Sequence, residues 1–136
     1  MKIIIVGSRR MSEYGKKVIG MLVPKIMEER MEIGTGRVQG CNTFVIKMAK
    51  DKVKVFEPKY GFEKMNEEMA EWGEILLVIE GGKESGTILL ADKFLEKGKE
   101  VWAVPGRIDE PNSTAANWLI KNGARVVTGV EDIGDS

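Results

Sequence analysis

The regular alternation of short apolar runs with longer stretches of helical periodicity constrains this chain more than any other feature. Runs at residues 2–6, 31–34, 53–56, 74–79, 100–104 and 125–128 have the length and bounding residues of buried strands. The stretches 12–30, 40–52, 62–72, 85–97 and 113–122 between them carry apolar residues at helical spacing. In 12–30 these are Val18, Ile19, Leu22, Val23 and Ile26, behind Ser12 as an N-cap. Pro24 falls inside that stretch and is expected to kink or interrupt the helix. Phe44, Val45, Met48 and Ala49 share a face of 40–52, and Gly98 ends 85–97. The run 74–79 is the most apolar and is expected at the centre of the sheet. Strands alternating with helices imply a parallel sheet covered on both faces. Right-handed crossovers then give a doubly wound, Rossmann-like α/β/α layer. Residues 1–136 read as a single domain, with 129–136 as a final turn or a frayed tail.

Composition narrows the chemistry. The 136 residues hold 21 basic and 21 acidic side chains, no histidine and one cysteine, Cys41. Without histidine there is no Ser-His-Asp triad, no Cys-His pair and no imidazole-ligated metal. One cysteine makes neither an internal disulfide nor a thiolate zinc site, which points to the cytoplasm. Asp92 and Asp109 lack a paired acid, so no metal site is expected. No apolar run approaches the ~18 residues of a membrane span, so no membrane partner is expected. The zero net charge is uneven along the chain. Residues 1–54 hold twelve basic and five acidic side chains, and residues 55–136 hold nine and sixteen. A basic half can mark a phosphate-bearing partner, and it can equally be a set of solvated helix faces.

Ligands of open α/β sheets bind outside the carboxyl ends of the strands. The loops there read Gly7-Ser8-Arg9-Arg10, Gly34-Thr35-Gly36-Arg37 followed by Gly40, Gly81-Gly82-Lys83-Glu84-Ser85-Gly86-Thr87 and Pro105-Gly106-Arg107. Glycine admits close backbone approach to an anion, and a following helix N-terminus offers free N–H groups and a favourable dipole. The loop 81–87 fits best, with Ser85 as helix cap and Lys83 as charge. One such loop could be no more than a tight turn; four on one sheet edge predict a phosphate site. Gly7, Gly36, Gly81, Gly82 and Gly86 are expected to donate backbone N–H groups. Ser8, Thr35, Ser85 and Thr87 would add hydroxyls, and Arg9, Arg37, Lys83 and Arg107 would add charge; Pro105 and Gly106 complete the set. Neither GxGxxG nor GxxxxGK[ST] occurs, which disfavours a tightly held NAD and an NTPase; no cofactor is expected. Trp102 and Trp118 are expected in the core, with Trp72 open, and Cys41 is expected as a small buried hydrophobe.

From Glu74 onward the chain resembles the DNA-processing protein A (DprA/Smf) family, itself akin to Rossmann-like phosphoribohydrolases and lysine-decarboxylase-like proteins. The residues that carry this are Glu80, Ser85-Gly86-Thr87, Ala103-Val104-Pro105-Gly106, Ser113, Asn117-Trp118-Leu119-Ile120 and Gly123-Ala124, and the opening IVGSRRMSEYG is also similar. Departures accompany the likeness. The family's second loop carries an Asp and, four residues on, a His, where this chain has Asn42 and Ile46. Its DNA-associated Arg-Asn-Arg becomes Met65-Asn66-Glu67, which is expected to remove two phosphate contacts and add a repulsion. The phosphoribohydrolase loop PGGxGTxxE would place its glutamate at Leu90. No helical N-terminal extension or C-terminal winged-helix module of the family is expected in this chain. The reading is therefore non-catalytic binding of a phosphate-bearing ligand, a nucleotide or single-stranded DNA. A nucleoside-monophosphate phosphoribohydrolase and a structural partner of a full-length DNA-processing protein stand as alternatives. The resemblance also implies a homodimer.

Overall fold

Six strands lie in the order β3-β2-β1-β4-β5-β6, every neighbouring pair parallel. They are β1 (Lys2–Val6), β2 (Glu32–Gly36), β3 (Val53–Phe56), β4 (Ile75–Val78), β5 (Glu100–Ala103) and β6 (Arg125–Val126). The helices are α1 (Glu13–Glu28), α2 (Cys41–Ala49), α3 (Phe62–Trp72), α4 (Thr87–Glu96) and α5 (Thr114–Lys121). This computed structural model describes residues 1–83 and 86–134. Among the described residues no helix is long and apolar enough to cross a membrane.

The period of two in each strand sends alternate side chains to opposite layers. Ile3, Ile5, Ile75 and Leu77 pack under α1 and α2, against Val18, Ile19, Leu22, Val23, Ile26 and Val45. Ile4, Val6, Leu76 and Val78 pack on the other side with Met65, Met69, Leu90, Ala91 and Phe94 of α3 and α4. Each fully buried Ile or Leu here contributes about 1.5–3 kcal/mol. Both faces must be apolar at once, so these strands read as continuous apolar runs rather than alternating ones.

Several expectations shift. The central position is shared, because β1 pairs with both β2 and β4. Helix α1 runs unbroken through Pro24, whose exposed position turns the ring and its missing N–H toward solvent. Ser12 caps this helix, its hydroxyl accepting from the Gly15 N–H at 2.9 Å. Strand β2 extends two residues beyond its predicted end, drawing Thr35 and Gly36 out of the loop and into the sheet. Residues 130–132 form a 3-10 turn and Ile133 is buried in the core, so the segment up to residue 134 is docked rather than frayed. Trp102 is buried as expected, whereas Trp118 is 46% exposed. Helix α5 seats Ala115, Ala116 and Leu119 instead, and the two alanines let it lie close to the sheet.

Candidate functional site

The order 3-2-1-4-5-6 reverses direction between β1 and β4, where neighbouring crossovers leave to opposite faces and open a crevice. A cleft of 680 Å³ lies there, within the roughly 300–1,000 Å³ of small-ligand pockets. Its floor is apolar: Val6, Val38, Phe62, Met65, Met69 and Leu90. Its rim is Ser8, Arg9, Arg10, Asn42, Asn66, Lys83, Thr87 and Asn112. The lining thus carries three cations and, among the described residues, no carboxylate. Arg9, Arg10 and Lys83 form no ion pair with a described residue.

Buried polar contacts hold the first loop. Asn42 is nearly inaccessible; its Oδ1 accepts the Gly7 N–H at 3.1 Å and its Nδ2 donates to the Gly36 carbonyl at 3.0 Å. An aspartate there could accept but not donate, so the amide ties the ends of β1 and β2 together in a way the family's acid could not. Gly40 takes φ +87°, and a Cβ there would lie 2.3 Å from the Ser8 carbonyl oxygen. Only glycine lets the loop before α2 approach this closely, so that the Cys41 N–H can donate to that same carbonyl at 2.9 Å.

Beneath the loop sits Glu80, 3% exposed. Its carboxylate accepts from the Ser12 N–H at 2.8 Å, the Ser12 hydroxyl at 2.6 Å, the Asn112 amide at 3.3 Å and the Cys41 thiol at 3.5 Å. Asn112 then continues outward, accepting from the Ser8 hydroxyl at 3.0 Å and donating to the Arg10 carbonyl at 2.7 Å. Glu80 is therefore a bracket for the arginine loop rather than an acid facing the cleft. Burial first, then the neighbouring Glu80 charge, pushes the Cys41 thiol up to about 12, so Cys41 is a neutral packed thiol.

The expected site residues divide. Gly7, Ser8, Arg9, Gly82, Lys83, Gly86 and Thr87 line the cleft. The N–H groups of Ser8, Arg9, Gly82, Lys83 and Thr87 meet no acceptor among the described residues. The Thr87 hydroxyl, only 7% exposed and at the first turn of α4, is likewise without a partner there. Two expected N–H donors are already engaged: Gly7 by Asn42 at 3.1 Å and Gly81 by the Asn112 carbonyl at 2.7 Å. Ser85 lies outside the described residues, and Gly86 occupies the N-cap position of α4. Thr35 and Gly36 are buried, the Thr35 hydroxyl donating to the Ile5 carbonyl at 2.6 Å. Arg37 pairs with Glu57 at 2.9 Å, away from the cleft. Pro105, Gly106 and Arg107 lie beyond it too; Gly106 exchanges two hydrogen bonds with Asn117, and Arg107 pairs with Asp109 at 2.9 Å. Glu67 also stands off the cleft, reaching toward Lys64 and Lys93, so the expected repulsion is not in the lining, while Asn66 is.

Sequence reasoning missed Asn112, Phe62 and the methionine floor. Asn112 sits 104 residues from Ser8, and no local pattern marks such a pairing. Its one signal is position, in the turn Pro111–Ser113 that opens α5 at the same sheet edge.

The family model described as DNA recombination-mediator protein A matches residues 54–136. DNA processing protein DprA of Bacillus subtilis (strain 168) is 26% identical over 170 aligned residues, covering 97% of this chain and 57% of that protein. Protein Smf of Escherichia coli (strain K12) is 40% identical over 74 residues, 54% of this chain and 20% of that protein. The chain thus spans little more than half, or much less, of these relatives' lengths. Among solved structures, DNA processing protein A from Streptococcus pneumoniae superposes with a TM-score of 0.88 at 22% identity, over 97% of this chain and 60% of that one. The Helicobacter pylori protein, whose structure concerns its single-stranded DNA binding mode, gives 0.86 at 17% identity, over 97% and 77%.

Proposed function

The chain belongs to the DNA recombination-mediator protein A family, and on that premise we propose that its β1/β4 cleft binds a phosphate-bearing ligand, single-stranded DNA or a nucleotide as its smallest piece. One observation carries the reading: three cations with no ion-pair partner among the described residues, N–H groups at the start of α4 with no described acceptor, and a Thr87 hydroxyl with no described partner converge on a cleft whose described lining holds no acid. A helix N-terminus with converging donors suits a phosphate, and the apolar floor suits a base. The single-stranded DNA binding of the H. pylori relative supports the same class.

Hydrolysis fits less well. A general acid must reach the scissile bond, yet Leu90 forms part of the floor and Glu80 is engaged by four donors. Release of free adenine from AMP would restore the hydrolase reading. The homodimer implied by the resemblance is a separate proposal, read by sedimentation equilibrium.

Titration of the whole chain with fluorescent oligo-dT and with AMP at low salt tests the site. Thr87→Val and Lys83→Ala should each weaken binding by roughly tenfold, with the unfolding midpoint unchanged. If neither ligand binds the wild-type chain, the phosphate site is wrong.

A further inference from the structure

The loop between β3 and α3 presents two aromatic rings that the core does not use. Phe62, the first residue of α3, lines the cleft and is 50% exposed, and the Arg9 guanidinium lies 5.1 Å from its ring centre. Tyr60 is 76% exposed, with the Lys59 ammonium 5.7 Å from its ring centre. Gly61 between them has φ +98° and open space where a Cβ would be, turning the chain sharply so that both rings stand outside the packed layers. The turn is held by the Gly61 N–H donating to the Pro58 carbonyl at 3.2 Å. Neither Arg9 nor Lys59 has an ion-pair partner among the described residues.

We propose that Tyr60 and Phe62 form a base-stacking platform that carries single-stranded nucleic acid out of the cleft and over the β3 edge of the sheet. The inference rests on the reading of the cleft as a phosphate site and adds a direction and a length to it. A mononucleotide fills the cleft and touches Phe62; a longer strand continues onto Tyr60. Aromatic faces interleaved with cations are the surface that sequence-tolerant single-strand binding uses, since every base has a π-face and every linkage a charge. An acidic peptide would use the cations but leave the rings wet. A packing role fits Phe62 in part, where its ring meets the cleft, but not Tyr60, which is largely in solvent.

The test compares dT12 with dTMP on the full chain. Tyr60→Ala should weaken dT12 roughly tenfold, leave dTMP unchanged, and leave the salt dependence unchanged because no charge is removed. Tyr60→Phe should restore dT12 binding, and Phe62→Ala should weaken both ligands. The unfolding midpoint of Tyr60→Ala should match wild type. If the wild-type chain binds both ligands and Tyr60→Ala holds dT12 within twofold, the platform is wrong while the cleft stands. If the wild-type chain binds neither, the cleft reading itself fails and the platform with it.

Discussion

Glu80 shows how one buried side chain can shape a site without entering it. A carboxylate in the core is costly unless its lone pairs are met, and here four donors meet them. Removing it takes the acceptor from the Ser12 N–H, the Ser12 hydroxyl and the Cys41 thiol together, and leaves the Asn112 amide only its bond to the Arg10 carbonyl. Glu80→Ala should therefore cost about 2–4 kcal/mol of stability, measured by urea unfolding, and should loosen the Ser8–Arg10 loop through Asn112. The same carboxylate acts on Cys41. A thiol raised in the folded chain from 9.0 to about 12 contributes stability that is complete below pH 9 and is lost as pH rises toward the folded value, because only the unfolded chain ionises in between. Wild-type stability should then fall more steeply from pH 9 to 11 than that of Cys41→Ala, and native alkylation at pH 8 should be slow.

At the scale of elements, the helices obey their local signals except where solvent relieves the conflict. Proline inside a helix costs an N–H bond and crowds the carbonyl four residues back. In α1 that crowding falls on the exposed side, while Val23 and Ile26 beside it are buried. The apolar face thus outweighs the proline. Pro24→Ala should stabilise the chain by about 2 kcal/mol, read from the urea midpoint. Boundaries were legible to within one or two residues where the apolar runs were long. They shifted at β2, whose Glu32-Ile33-Gly34-Thr35-Gly36 resembles a loop. Pairing with β1 and β3, and the Thr35 bond to Ile5, make it a strand. Glycine-rich strands are weak alone and are decided by their neighbours.

At the scale of the molecule, the sheet order gives the uneven charge a place. The basic half of the sequence builds β1 to β3 with α1 and α2, and the acidic half builds β4 to β6 with α3 to α5. The two halves meet at β1 and β4, at the mouth of the cleft. Neutrality overall therefore coexists with a field across the site, and oligonucleotide association should slow as salt is raised. With Arg9, Arg10 and Lys83 as the phosphate contacts, the logarithm of affinity should fall with the logarithm of salt at a slope of about −2. A slope near zero would remove these cations from the interface.

The sequence by itself determined the alternation, the parallel doubly wound layer and the edge of the sheet where the glycine loops gather, because periodicity and turn chemistry act between near neighbours. Which loops serve the cleft was decided only in three dimensions. Arg37 and Arg107 read much like Arg9 in a sequence, but each is held by an acid, Glu57 or Asp109. Gly7 and Gly81 read like Gly82, but their N–H groups are engaged by Asn42 and Asn112. Most of these partners lie tens of residues away along the chain. Packing sets such contacts, and a donor's availability depends on them more than on the residue that carries it.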